Sequence, residues 1–317
     1  MNKGWTFIGP DGSSVPVDLP HTWNAIDGQD GGNDYWRGTC VYEKAFPRPE
    51  LEADQRVYLE FRGVNASAKV ELNGAEVGTH DGGYSTFRWD VTDFLKDENA
   101  LTVHVDNSRN DRVYPQKADF TFYGGIYRDV SLIVVNKFHF DMDRFGGPGI
   151  KVTAKPVENY TQGEVVINTW RNCEEGQVHI AIQDGGGNEV AAADLPNVKL
   201  SLPDVHLWDG VKAPYLYTAV ATLTVDGRKV DQISARFGVR DFFVDPGQGF
   251  FLNGRSYPLH GVSRHQDWKG IGNAITREHH DTDMAMIREV GANTIRLAHY
   301  QHDQYFYDLC DQYGMVV

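Results

Sequence analysis

Two short segments carry more ionisable side chains than packing requires. The first is His260-Gly-Val-Ser-Arg-His-Gln-Asp267, which follows an apolar run. The second is Ile295-Arg-Leu-Ala-His-Tyr300, where Arg296 and His299 close another apolar stretch. Imidazole and guanidinium groups so placed can hold the polar groups of a substrate, or they can close internal ion pairs and cap loops. At the carboxyl ends of parallel strands in a βα barrel, the first use has His265, Arg296 and His299 converge at one mouth. The second use puts Arg296 into an internal ion pair and leaves the histidines as loop caps. Spacing alone leaves both open. His299 and His302 stand at HxxH spacing, but no HExxH motif or third ligand accompanies them. A catalytic zinc needs about three protein ligands, and the adjacent His279 and His280 point apart on a helix, so no metal ligand is assigned.

These segments need strands and helices to hold them. Phe250–Leu252 and Ser256–Leu259 flank Asn253-Gly254, a hairpin signal, and YPLHGVSRH then reads as a mostly apolar strand. Thr276–Val290 reads as a helix, with Thr276 as its cap, Glu278, Asp281 and Asp283 near its positive end, and Gly291 as its stop. NTIRLA (293–298) is a short strand, and Asp303–Tyr313 is a helix with Phe306, Leu309, Cys310 and Tyr313 on one face. MVV opens a third strand. Glu278 and Glu289, the only glutamates after Arg240, fall on the first helix as solvated charge. Strand alternating with helix is the pattern of a parallel sheet, and two and a fraction βα units do not complete one, so a piece of a longer chain is expected.

Upstream the chain is strand-like. In RVYLEFRGV (56–64), Val57, Leu59 and Phe61 alternate with Tyr58, Glu60 and Arg62; Leu101, Val103 and Val105 keep the same period, as do Val130, Leu132 and Val134. Asn73-Gly74 sits between VEL and AEV as a two-residue hairpin. From 137 to about 239, Val165–Thr169, Val178 to Ile182, and Tyr217 to Val225 closed by Asp226-Gly227 suggest a second sandwich of immunoglobulin-like size. The expected domains are 1–136, 137–240 and 241–317, mostly β.

Composition narrows the classes. Apolar residues make up 41% and charged residues 23%, ordinary globular values. A net charge of −14 repels nucleic-acid phosphates and anionic lipid, so neither is an expected partner. No apolar run approaches the roughly 18 residues of a membrane span, and MNKGWTFIGPDGSS has no h-region. A cytoplasmic location is expected, with the periplasm left open if more chain precedes. Cys40, Cys173 and Cys310 read as scattered thiols of a reducing compartment.

GVSRHQD, GANTIRLAHY and FYDLCDQYGMVV resemble the start of the catalytic barrel in glycoside hydrolase family 2, the family of β-galactosidases, β-glucuronidases and β-mannosidases. Asp34-Tyr-Trp-Arg-Gly-Thr-Cys40 and Asp119-Phe-Thr-Phe-Tyr-Gly-Gly-Ile-Tyr-Arg-Asp-Val130 resemble that family's N-terminal sugar-binding domain. The likeness runs the length of the chain and implies a jelly-roll β-sandwich, an immunoglobulin-like β-sandwich and the first two to three βα units of an incomplete TIM barrel. It implies that His265 hydrogen-bonds the sugar, that Arg296 orients a catalytic carboxylate, that His299 contacts hydroxyls near the reacting carbon, and that Asp119 reaches the site from a loop of the first domain. Without it, Asp119 reads as a turn acid. HYQHDQ stands where the family often has HYPHDP, so both prolines are lost from that loop.

The activity so implied is that of a retaining exo-β-glycosidase, β-galactosidase first, with β-glucuronidase or β-mannosidase as alternatives, acting on a terminal β-linked hexose. Both catalytic glutamates would lie beyond residue 317, so the chain alone is expected to be inactive. No cofactor is required, and a bound Na⁺ or Mg²⁺ is compatible; family members often pair through these sandwiches, so the resemblance allows a homo-oligomer. Trp23, Tyr35, Trp36, Phe122, Tyr123 and Tyr127 offer either a sugar platform or sandwich core, core being the stronger reading for Phe122 and Tyr127. A non-catalytic carbohydrate-binding protein of two sandwiches is the reading from another class.

Overall fold

The computed structural model describes residues 1–27, 35–114 and 118–317. It divides into two compact units. One holds Met1–Lys137 together with His265–His279 and Tyr300–Asp303; the other holds Phe138–Arg264, His280–His299 and Gln304–Val317.

In the first unit the period-two runs become two facing sheets. A six-stranded antiparallel sheet runs in the order Ser14–Val17, Trp5–Ile8, Thr39–Pro47, Glu98–Asp106, Ser67–Leu72, Ala75–Asp81. A three-stranded sheet pairs Gln55–Phe61 with Val130–Asn136 and Phe87–Asp90. Alternate side chains from both, among them Trp5, Tyr42, Leu72, Val103, Leu59 and Phe61, fill one core. The turn at Asn73-Gly74 has φ of 56° and 80° at its two central residues, the left-handed geometry that makes Asn-Gly a hairpin signal.

Alternation misleads in the three-stranded sheet. Glu60, on the face read as polar, is buried, its carboxylate bridging Arg62 Nε at 2.9 Å and Arg88 Nε at 2.6 Å. Two guanidinium groups satisfy it, as a buried charge requires. Val134, on the face read as apolar, is exposed at the far end of its strand.

The second unit begins with two antiparallel sheets. Ile150–Val157, Gln162–Thr169 and Asn197–Leu202 form one; Glu189–Ala193, Gln177–Gln183, Tyr217–Val225 and Arg228–Phe237 form the other. Val165, Ile167, Ile180, Ile182, Ala219, Ala221 and Leu223 pack together as their shared core. A hairpin of Phe242–Asp245 and Gly249–Leu252 follows, turning back at Asn253-Gly254 to Arg255–Ser256.

Then the character changes. Gly261–Arg264 pairs in parallel with Thr294–Leu297, and Thr294 makes a single parallel bridge to Val316, so the expected third strand is one bridge long. Helices Arg277–Glu289 and Gln304–Tyr313 pack Met284, Ile287, Phe306, Leu309 and Cys310 against Ile295. The strand is shorter than YPLHGVSRH suggests. The Asn293 side chain donates to the Pro258 carbonyl and accepts from the His260 amide, both at 2.8 Å, so 258–260 is held by a side chain.

Candidate functional site

Parallel pairing decides which strand residues can do chemistry. Val262, Ile295 and Leu297 face the helices, while Ser263 and Arg296, partners in register, occupy the other face. Arg296 Nη1 donates to Ser263 Oγ at 3.2 Å, and its Nη2 lies 3.4 Å from His299 Nδ1. Both Arg296 and His299 are exposed, and His299 takes a left-handed φ of 70° just after its strand. The internal ion pair that one reading gave Arg296 belongs to Arg264. Arg264 is buried, donates to Asp283 at 2.7 Å, lies 3.1 Å from His280 Nδ1 and sits 3.9 Å over the Phe306 ring. With packing served by Arg264, the Arg296–His299 pair is left on the open face of the strand pair.

His265, next along the chain from Arg264, lies in the first unit. Its Nδ1 is 3.4 Å from Tyr300 Oη, and its ring centroid is 5.5 Å from that of Phe120. Phe120 also meets Tyr300, at 5.3 Å. Asp119 precedes Phe120 and is exposed, so the aspartate segment and His265 meet within one unit. Asp119 and His265 thus fall in one unit, and Arg296 and His299 in the other.

Buried asparagines hold the segment that carries Asp119. Asn24 Oδ1 accepts from the Gly124 amide at 2.8 Å and from Asn107 Nδ2 at 3.2 Å, while Asn107 Nδ2 also donates to the Phe122 carbonyl at 3.0 Å. Asn65 Nδ2 donates to the Tyr123 carbonyl at 2.6 Å. Residue 124 must be glycine, because a Cβ there would come within 2.0 Å of the Trp23 ring. The Tyr123 hydroxyl donates to Asp267 at 3.1 Å; burial first, then the Asp267 charge, hold that phenol well above the usual tyrosine range.

The aromatic set divides. Phe122, Tyr123 and Tyr127 are buried and belong to the fold; Trp36 is 39% exposed, its ring 6.0 Å from Trp23. Asp34 of the first motif lies outside the described residues. Sequence reasoning missed Tyr300, Gln266 and Arg128. Tyr300 stacks on Tyr84 at 4.6 Å, and its hydroxyl accepts from the Gln266 amide at 3.1 Å. Tyr300 ends one quoted motif and Arg128 lies inside another, but their partners are too distant in sequence for spacing to reveal.

Three family descriptions match in order: the family 2 sugar-binding domain over residues 24–136, glycosyl hydrolases family 2 over 149–240, and the family's TIM barrel domain over 245–317. The chain belongs to glycosyl hydrolase family 2. It is 36% identical to a β-glucuronidase from Bacteroides fragilis, over 100% of this chain and 48% of that protein. It is 30% identical to a β-galactosidase from Bacteroides ovatus, over 100% of this chain and 40% of that one. Among solved structures, an FMN-binding β-glucuronidase from Faecalibacterium prausnitzii superposes with a TM-score of 0.95 at 46% identity, over 99% of this chain and 50% of that one. A putative β-galactosidase from Bacteroides fragilis superposes with a TM-score of 0.89 at 37% identity, over 99% and 51%. The chain therefore spans about half the length of these family members.

Proposed function

We propose that these residues are the sugar-gripping part of a retaining exo-β-glycosidase, with a terminal β-D-glucuronide as the preferred substrate. The observation that carries the glycosidase reading is the exposed Arg296–His299 pair at the end of a parallel strand, in a chain of this family. The preference for a glucuronide over the galactoside expected from sequence rests on the names of the relatives at 36% and 46% identity. The second reading, β-galactosidase, has its support in the relatives at 30% and 37%. No flavin step enters either reading.

The residues divide the labour by chemistry. A pyranose offers hydroxyls, and groups of the kind that His299 presents in one unit, and Asp119 and His265 in the other, are suited to fixing its orientation. Arg296 is suited to aligning a carboxylate, because its planar fork presents paired donors. Retention needs two carboxylates about 5–5.5 Å apart, one as acid/base and one as nucleophile. Neither role falls to Glu278 or Glu289. Glu278 and Glu289 are exposed on the first helix, and a hydrogen bond from Thr276 holds Glu278 below the usual carboxylate range.

The test uses the enzyme with its whole barrel and a panel of nitrophenyl β-glycosides. Arg296→Ala and His299→Ala each lower kcat by about two orders of magnitude or more, the cost of losing orientation at a reacting centre. Unchanged turnover in both variants refutes these roles. A glucuronide hydrolysed more slowly than the galactoside decides for the second reading. The 317 residues alone are expected to hydrolyse neither.

A further inference from the structure

Arg128 is nearly buried, at 6% exposure, and a guanidinium is rarely placed so without a task. Its donors go to backbone and side chains of segments far apart in sequence. Nη1 donates to the Arg62 and Tyr84 carbonyls at 3.3 and 3.1 Å; Nη2 donates to the Gln301 carbonyl at 2.7 Å and reaches Gln266 Oε1 at 3.5 Å. Nε has no hydrogen-bond partner and faces Asp303 Oδ2 at 3.7 Å. Gln266 Oε1 in turn accepts from the Asp303 amide at 2.6 Å. One side chain therefore ties together the segment after His265 and the segment after His299, and fastens both to the sandwich at residues 62 and 84. The stem needs its own room: a Cβ on Gly63 would sit 2.8 Å from Arg128 Cδ.

We infer that Arg128 is a positioning residue that sets the seat of His265 by clamping the segments 265–267 and 300–303, all within the first unit. The inference rests on the glycosidase reading for its consequence, and on the hydrogen bonds alone for the clamp. Lysine cannot replace it, since one ammonium group cannot reach four acceptors arranged around a planar fork. Gly63→Ala acts on the same clamp from the other side by displacing the stem.

Hydrogen exchange and steady-state kinetics on the whole enzyme test it together. In Arg128→Lys and in Gly63→Ala, amide exchange at 266–267 and 300–303 rises by about tenfold, the signature of local opening, while the strands Ser67–Leu72 and Glu98–Asp106 keep their protection. KM for the nitrophenyl glycoside rises by at least about fivefold, because misplaced contacts weaken sugar binding. Loss of folded enzyme lowers apparent kcat and leaves KM alone, so a merely structural role does not move this readout. Unchanged exchange at both segments overturns the clamp, whatever the substrate proves to be. Loosened exchange with unchanged KM overturns its role in seating His265. A wild-type enzyme inactive on every glycoside defeats the glycosidase reading, and the exchange result still decides the clamp.

Discussion

A single half-buried histidine shows how the environment sets chemistry at the residue scale. His21 Nδ1 lies 2.7 Å from the Tyr42 hydroxyl, and its ring packs 5.0 Å from Phe7, so water reaches it poorly. Burial disfavours the charged imidazolium and lowers its pKa from 6.5 to about 4. The unfolded chain therefore binds a proton that the folded chain refuses between those values. Stability attributable to His21 is present in full above pH 6.5 and is lost as pH falls toward about 4, by up to about 3 kcal/mol. His21→Gln removes this dependence. Urea unfolding at pH 7.5 and at pH 4.5 will show the stability gap between wild type and variant narrowing at the lower pH. A gap of constant size contradicts a neutral His21 in the fold.

At the scale of elements, the parallel pair Gly261–Arg264 and Thr294–Leu297 stands on one small core. Ile295 is 1% exposed and lies among Met284, Ile287, Phe306 and Leu309. Ile295→Ala leaves a cavity there and is expected to cost about 2–5 kcal/mol in urea unfolding. A loss below about 1 kcal/mol means that the helices do not pack on this strand as described. The element itself was readable from NTIRLA, because apolar periodicity and turn chemistry are local. The same holds for the Asn73-Gly74 and Asp226-Gly227 hairpins, whose residues take the left-handed φ of their turns. What local pattern cannot carry is the partner of a buried charge. Glu60, on a face that alternation marks as polar, is buried against Arg88 from across the sheet, and the ion pair that one of two open readings gave Arg296 is made by Arg264, because Asp283 comes from the next helix. For the site, residue types and the resemblance named His265, Arg296, His299 and Asp119. The shell that seats His265 stayed hidden because Phe120 and Tyr300 come from separate parts of the chain.

Across the whole molecule, the three thiols sample both units and can report on how each opens. Cys40 lies in the first unit and Cys310 in the second; both are buried, and burial pushes each thiol up to about 12. Cys173 is only partly buried, its thiol raised less and donating to the Glu175 carbonyl. Thiolate is the reactive form, so an aromatic disulfide reagent should label Cys173 alone in the native protein at pH 8. Rising urea should then expose the others in a definite order. Among the described residues, Cys310 belongs to a core of eight buried side chains, whereas the sandwich that contains Cys40 has nineteen. Less apolar area lost on opening means a lower cost of opening, so Cys310 should become reactive at lower urea than Cys40. Mass spectrometry of peptides labelled across a urea series reads both midpoints in one experiment. Coincident midpoints would mean that the small core around Ile295 does not open by itself and that both units share one cooperative transition.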